Sequence, residues 1–508
     1  MPVYLTTPIY YVNDKPHIGH AYTSLATDVL ARWHRLAGEE VFFLTGTDEH
    51  GQKVEKAAQD AGQDPQAFTD RVSQAFRDLT ASMNLSNDGF IRTTEPRHRE
   101  ACQALWKRLV EKGEIYLGAY EGWYAVRDEA FYGPDELTER DGVKYAPSGA
   151  PVEWVREPSY FFRLSAWGDK LLKFYEDHPE FIQPATRRNE VMAFVKSGLT
   201  DLSISRTSFR WGVPVPGDDA HVMYVWMDAL TNYITALGYP DEKSELWKFW
   251  PADVHMVGKD IVRFHAIYWP AFLMAADLPP PRRVFAHGWW TNEGQKISKS
   301  VGNVIDPLAL VQEFGLDPVR YFLLREVPFG QDGDFSRAAL TNRLNGELAD
   351  ALGNLANRVL SLIQRNCETR LPGVARSAAD TEGLFAAYLD PLPSRVAERL
   401  DKMEFHLALE AVFEAVREAN GYITREAPWA LKKTDPVRML AVLRNLHDAL
   451  RVFATLLQPF MPDTMARLLD QLGVPPEARS LAALATPLPE GLALPAPAPL
   501  FQKIQNAA

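Results

Sequence analysis

Two rhythms of hydrophobic and polar positions run along the chain. The first stretch opens on a β-rich run, Val3-Tyr4-Leu5-Thr6, passes through a Tyr-rich segment and reaches a polar turn at Asn13-Asp14-Lys15-Pro16. Ala21 to Ala37 is rich in helix formers, and Gly38 stands where a helix would be capped. Val41-Phe42-Phe43-Leu44 follows as a continuous apolar run of strand length. Strand, helix and strand in that order form a βαβ unit, which predicts a parallel sheet with ligands at the carboxyl ends of its strands.

From about Ile115 to Arg210 the texture shifts to aromatics, Gly and Pro, with short strand-like pieces at Gly122-Trp-Tyr-Ala-Val and Tyr160-Phe-Phe-Arg-Leu. This segment reads as an insertion between two halves of the sheet domain. Parallel-sheet texture returns at His221-Val-Met-Tyr-Val-Trp and Val254-His-Met-Val-Gly. Beyond Leu344 the rhythm is helical: Leu348, Leu352, Leu355, Val359 and Leu362 recur at helical spacing, and similar stripes continue to about Leu472. The Pro-, Ala- and Leu-rich stretch 485–499 reads as a tail along the body. The predicted fold is α/β: a doubly wound, Rossmann-like parallel sheet with an inserted connective domain, followed by an all-α helical bundle. The expected divisions are 1–115 and 211–285 for the two halves of the sheet domain, 116–210 for the insertion, 286–344 for a linking region, 345–474 for the bundle and 475–508 for the tail.

Composition narrows the class. A chain of 508 residues exceeds what one core supports. No apolar run is long enough for a membrane span, and MPVYLTTPIYY lacks the basic start and apolar core of a signal peptide. Cys102 and Cys367 are the only cysteines, so neither a disulfide framework nor a Cys-based metal site is expected, and a reducing cytoplasm fits. The net charge of −12 argues against coating nucleic acid through bulk electrostatics, though a local basic surface on an acidic body is compatible with it.

Two motifs carry chemistry. Pro16-His17-Ile18-Gly19-His20 lies between the first strand and its helix. A helix N-terminus offers N–H groups and a positive dipole end to phosphate, histidines at i and i+3 can point the same way, and Gly19 lets a nucleotide approach closely. Lys296-Ile297-Ser298-Lys299-Ser300 lies far downstream, ahead of Gly302. Lysines and serines in a Gly-flanked loop suit a phosphate chain gripped transiently. Each alone is compatible with a plain surface histidine pair or a solvated basic loop; the pair together is far more specific.

These motifs resemble the HIGH and KMSKS signatures of the class I aminoacyl-tRNA synthetases, with Ile297 in place of the usual Met. The finer resemblance is to methionyl-tRNA synthetases, from Thr6 to about Pro462. It rests on TTPIYYVN (6–13), FLTGTDEHG (43–51), DLSISR (201–206), YVWMDAL (224–230), GKDIVRFHAIYWP (258–270), NLANR (354–358) and APW (427–429).

The resemblance implies roles residue by residue. His17, His20, Lys296 and Lys299 match catalytic positions, and Gly19, Gly258, Lys259, Asp260, Ile297 and Ser298 join His17, His20 and Lys299 around ATP. Asp48 matches the acid that holds the substrate ammonium. Ile9, Tyr11, Trp226, Ala229, Tyr233, Ile261 and His265 match the methionine pocket. A soft aromatic and aliphatic enclosure suits a thioether, with His265 or Tyr11 as the hydrogen-bond donor to sulfur. Arg206 matches an arginine near the active site, its plain alternative being a structural ion pair. Asn354, Arg358 and Trp429 match anticodon-reading residues, an aromatic with polar neighbours suiting an RNA loop; the alternative for Trp429 is a buried helix-end anchor. Many relatives carry Cys-based zinc knuckles in the inserted domain. Here Ala125-Val-Arg-Asp128 and Ala146-Pro-Ser-Gly149 stand in their place, so no bound metal is expected, and packing through Trp123, Tyr124, Phe131 and Tyr132 must substitute.

The function implied is a methionine–tRNA ligase using ATP with Mg²⁺ and no zinc, acting on L-methionine and on initiator and elongator tRNA(Met), as a cytoplasmic monomer with no membrane or DNA partner. The synthetases for Leu, Ile and Val carry a large editing insertion, whereas the insertion here is only about a hundred residues, and the cysteine enzyme needs zinc ligands absent here. A small nucleotidyltransferase would not need the helical region. A non-catalytic tRNA-binding protein would be expected to have lost His17, His20 or Lys299.

Overall fold

The computed structural model describes residues 2–12, 15–297, 303–373 and 376–504. Contacts divide them into a sheet unit, residues 2–16 and 41–287, and a helical unit, residues 17–40 and 288 onward.

The sheet unit is built on β1 (Val3–Tyr11), β2 (Val41–Asp48), β3 (Gly89–Arg92), β4 (Ile115–Ala125), β5 (Glu153–Phe162), β6 (Ile182–Gln183), β7 (Val254–Gly258) and β8 (Val284–His287). Six of them pair in parallel in the order β3-β2-β1-β7-β8-β6. Central strands of such a sheet are covered on both faces and so read as continuous apolar runs; Tyr4, Leu5, Val254, Met256 and Val257 are all buried. Strand order reverses at β1, with β2 and β3 on one side and β7 and β8 on the other, which makes the carboxyl ends of β1 and β7 the place for a ligand. An irregularity between Thr6 and Ile9 shifts the register of β1 on β2, so that Tyr11 stands opposite Asp48.

Within the segment expected as an insertion, β4 and β5 form a long antiparallel pair from Ile115↔Phe162 to Tyr124↔Glu153. Ile182–Gln183, also inside that segment, joins the edge of the parallel sheet. The run beginning at His221 departs from expectation. Asp218–Met223 pairs antiparallel with Ser205–Arg206 and Pro214–Val215, and a helix begins at Val225. A short apolar run cannot by itself tell a buried strand from the first turn of a buried helix.

In the helical unit, α1 (Ile18–Leu36) starts three residues before the expected helix because His17 caps it. It is followed by α2 (Leu316–Arg325), α3 (Asn354–Asn366), α4 (Phe405–Glu426), α5 (Pro428–Thr434), α6 (Pro436–Leu457) and α7 (Pro462–Gln471). Leu355, Val359 and Ile363 form the buried stripe of α3, whereas Leu348 and Leu352 lie in the wider π-helical turns of Leu344–Gly353 just before it. Arg320 of α2 is fully buried; it donates to Asp28 of α1 at 2.7 Å and to the carbonyls of Pro459 and Phe460 at 2.8 and 3.0 Å. The last segment is tied along the helices. Arg451 donates to Ala483 and Thr486, Arg444 to Leu488, and Arg467 to Leu500.

Candidate functional site

At the start of α1 the two histidines build the cap from imidazoles. The Gly19 amide donates to His17 Nδ1 at 3.1 Å, and the His17 amide donates to His20 Nδ1 at 3.1 Å. This reciprocal pattern is normally made by Ser or Thr with Glu. Because both Nδ1 atoms accept, the neutral form of each ring carries its proton on Nε2. Burial, then the neighbouring His17, hold the His20 pKa well below the ordinary value, so it is a neutral donor rather than a cation. Gly19 is needed inside the motif itself, since a Cβ there would lie 2.9 Å from the His17 ring.

The second motif follows a tight hairpin in the same unit. Trp290–Asn292 pairs antiparallel with Gln295–Lys296 and in parallel with Gly333–Phe335. Ile297 is half-buried. Ser298 and Lys299 lie outside the described residues, and Lys296 is described by its backbone alone.

In the sheet unit, the residues expected around the amino acid come from the carboxyl ends of β1, β2 and β7 and the helices that follow. Ile9, Tyr11, Trp226 and Ile261 pack half-buried against one core, in which Tyr233 is buried. Ala229 is buried on the same short helix as Trp226. Trp226 stacks face to face on Phe264 at 3.8 Å, and His265 meets its edge at 6.1 Å. His265 Nδ1 donates to the Ile261 carbonyl at 3.0 Å, and Nε2 accepts from the Tyr233 hydroxyl at 2.7 Å. Tyr11 is directed to Glu129 and the His50 carbonyl. Both side chains proposed as donors to the thioether are therefore engaged elsewhere. Burial lowers the His265 pKa to about 4, so this ring is neutral. Gly258 ends β7, and Lys259 and Asp260 form the turn that follows.

Asp48 ends β2, 6% exposed, and its Oδ1 has no hydrogen-bond partner. Burial, then the charges of Asp228 and Glu129, raise its pKa well above the carboxylate range, while a backbone hydrogen bond from His50 opposes them. A buried carboxylate in that condition favours a cationic visitor. Arg206, 2% exposed, makes no ion pair among the described residues. Its guanidinium sits against Phe131, Tyr224 and Tyr124 at 4.4, 4.6 and 5.4 Å, and donates to the Ser205 carbonyl at 2.6 Å. An aromatic cage replaces the ion pair that was the plain alternative.

In the helical unit, Asn354 is exposed at the start of α3, Arg358 is half-buried, and Trp429 is 49% exposed on α5. Arg358 lies over the Trp429 ring at 5.6 Å. Ala427, with φ 45°, turns the chain sharply between α4 and α5 and so sets the direction of Trp429. A buried anchor is excluded for this tryptophan.

The model of class I tRNA synthetases (M) matches residues 3–360, and that of the anticodon-binding domain of methionyl tRNA ligase matches residues 373–508. The chain belongs to the methionyl-tRNA synthetase family. It is 58% identical over 480 residues to a methionine–tRNA ligase of Rickettsia bellii, covering 94% of this chain and 93% of that one. It is 57% identical over 507 residues to that of Brucella suis, covering 99% and 98%. A crystallised methionyl-tRNA synthetase of Mycobacterium tuberculosis in complex with methionyl-adenylate superposes with TM-score 0.96 at 50% identity, covering 98% and 99%.

Within this methionyl-tRNA synthetase family member, the cysteine-free segments 125–128 and 146–149 pack together. Ala125, Ala146, Ala150 and Val152 form a small buried cluster lined by Trp123, Tyr132 and Leu137. Asp128 accepts from Tyr132 at 3.0 Å and from Ser148, joining the two segments. Two groups escaped the sequence reading. His98, Cys102 and Asp228 converge in the core, and His50 reaches the other Asp228 oxygen at 2.6 Å. His98 Nε2 and Asp228 Oδ1 are 2.7 Å apart. That is a hydrogen bond, shorter than the roughly 3.3 Å that separates two ligands on one tetrahedral zinc with bonds of about 2.0 Å. The histidines hold the Asp228 carboxyl well below its usual range despite burial. The second group is Glu129, beside Tyr11. A lone Glu in an aromatic stretch gave no signal.

Proposed function

We propose that the chain activates L-methionine with ATP, giving methionyl-adenylate and pyrophosphate, and then transfers methionyl to the 3′-terminal adenosine of tRNA(Met), initiator and elongator alike. The observation that carries this reading is Asp48, a buried carboxylate with one oxygen unsatisfied beside a wall of half-buried aromatic and aliphatic side chains. A zwitterionic amino acid with an apolar side chain meets both halves of that environment at once.

The methionine carboxylate attacks the α-phosphorus of ATP in line as pyrophosphate leaves. Charge builds on phosphoryl oxygens, and positioned donors facing it are the main source of rate. The His20 Nε2–H donates as a neutral imidazole beside that of His17, and Lys296, Ile297, Ser298 and Lys299 contact the triphosphate, with Lys299 bringing charge. A Mg²⁺ ion held by the ATP would supply further neutralisation of the phosphate charge. Gly19 and Gly258, Lys259 and Asp260 receive the adenosine, with Asp260 on the ribose hydroxyls. Ile9, Tyr11, Trp226, Ala229, Tyr233, Ile261 and His265 enclose the methionine side chain. The ribose 2′-OH of tRNA then attacks the adenylate carbonyl, forming the ester as the bond to phosphate breaks, AMP leaves and the hydroxyl proton is lost. Asn354, Arg358 and Trp429 read the anticodon. The fill of the knuckle positions supports a domain 116–210 that folds without zinc, with 286–344 meeting the tRNA stem, 345–474 the anticodon and 475–508 as tail. A cytoplasmic monomer completes the proposal; no described helix is long and apolar enough to cross a membrane.

The test is amino-acid-dependent ATP–pyrophosphate exchange across all twenty amino acids. Methionine is expected to lead by a wide margin, with norleucine behind it by about 1–3 kcal/mol, the usual worth of a small change in an apolar pocket. Faster exchange with leucine, isoleucine or valine would overturn the assignment.

A further inference from the structure

Glu129 is held at the amino-acid site by three parts of the sheet unit. Its backbone is left-handed, φ 49°, and its carbonyl accepts from the Tyr224 hydroxyl at 2.8 Å. Its carboxylate meets the Tyr11 hydroxyl from β1 and the Lys53 amide at 3.4 Å from the helix Gln52–Asp60. Gly51 makes room: a Cβ there would lie 2.6 Å from Glu129 Oε1. The residue is 5% exposed, yet Oε2 has no hydrogen-bond partner, which is also the condition of Asp48 Oδ1. Two buried carboxylates thus flank Tyr11, each with an unsatisfied oxygen. Buried polar atoms without partners are costly unless a ligand completes them.

The Tyr11 hydroxyl touches two acceptors, Glu129 and the His50 carbonyl at 3.1 Å, but has one hydrogen. A proton on Glu129 resolves this: the carboxyl donates to the tyrosine oxygen while Tyr11 donates to His50. We propose that Glu129 is a second carboxylate of the amino-acid site, protonated while the site is empty, which gives its proton to solvent when the substrate ammonium docks and then holds that ammonium together with Asp48. The Glu129 O–H bond breaks, the proton passes to buffer, and the ammonium keeps all its hydrogens. The inference rests on the reading of this site as an amino-acid-activating one.

Burial pushes Glu129 up to about 7, against the opposing Tyr11 hydrogen bond and the charges of Lys53 and Arg206. The other titratable groups around the pair are Tyr124 on β4, Tyr224, and Asp228, which faces Asp48. Methionine affinity therefore rises by up to tenfold per pH unit below about 7 and levels off above it.

The test is calorimetric titration of the full chain with methionine at pH 6.5 and 8, each in two buffers of different ionisation enthalpy, on wild type and Glu129→Gln, alongside exchange kinetics and thermal unfolding. Wild type should release most of a proton at pH 6.5 and little at pH 8. Glu129→Gln should release clearly less than wild type, any remainder coming from Asp48, lose the pH dependence near 7, and show a KM for methionine raised about tenfold at pH 8 with a smaller change in kcat. Proton release by Glu129→Gln equal to wild type, or methionine binding by wild type without release, overturns the inference and leaves methionine activation standing. If Glu129→Gln does not fold, Glu129→Asp replaces it, and a pH dependence of methionine affinity unmoved from wild type overturns the inference. Absence of methionine binding by wild type overturns both.

Discussion

His255 lies fully buried in β7 between committed partners. Trp269 Nε1 donates to its Nε2 at 3.2 Å, and its Nδ1 meets the Thr6 hydroxyl at 2.8 Å. Burial, then the nearby His265, hold its pKa well below the ordinary value. The native protein refuses a proton that the unfolded chain accepts below about pH 6.5, so the stability tied to this neutral ring is present above that pH and is lost on acidification. His255→Gln should be destabilised at pH 8, and the gap to wild type should narrow by about 1.4 kcal/mol per pH unit below 6.5. Denaturant midpoints from pH 8 to 4.5 check this; a constant gap refutes it. Trp429 is the opposite kind of residue. With half its surface already in water, Trp429→Ala should leave unfolding within about 0.5 kcal/mol of wild type, since it opens no core cavity. Methionine activation should be unaffected, and interaction with tRNA should weaken by about 1–3 kcal/mol, the range for stacking on a base. Aminoacylation and exchange on the same preparation separate the two, and normal charging would remove Trp429 from tRNA reading.

At the scale of elements, α1 has two ends with different work. Its first turn is shaped by the two histidines, and its middle is fastened by Asp28. Arg320 reaches Asp28 from α2 and satisfies the Pro459 and Phe460 carbonyls between α6 and α7. One guanidinium thus joins the helix bearing the first motif to the end of the bundle. Arg32, 22% exposed on its side chain, is a second cation on Asp28. Arg320→Leu removes the fully buried partner and leaves two carbonyls unmet, which should cost about 3–5 kcal/mol of stability. Equilibrium unfolding measures it, and a cost below about 1 kcal/mol would show that Arg32 and water take over.

For the molecule as a whole, the expectation concerning metal is testable. Ala125, Ala146, Ala150 and Val152 form a core where a knuckle would need cysteines, and the buried trio of His98, Cys102 and Asp228 is closed by hydrogen bonds. Purified protein should hold well under one equivalent of zinc and keep its melting temperature and exchange activity in a zinc chelator when Mg²⁺ is supplied. One tightly held zinc, lost together with activity, would contradict this.

The sequence by itself determined what local physics and motif identity encode. It gave the βαβ opening through the apolar runs at Val3 and Val41, the helical stripe through Leu355 and Val359, the paired histidine and lysine motifs, and the family. Helix boundaries were less legible, because a histidine capping box is not among the usual start signals, and the start of α1 fell three residues early as a result. Only the tertiary structure decided the rest. The run at His221 became an antiparallel strand and then a helix, because the neighbours available to it, not its own apolarity, fixed its pairing. His50, His98 and Asp228 met across separations of 130 and 178 residues. Glu129 reached Tyr11 across 118 residues, through a left-handed turn that its neighbours in sequence do not announce. Charges buried in this way depend on which groups the fold gathers around them, and no window of local sequence contains that information.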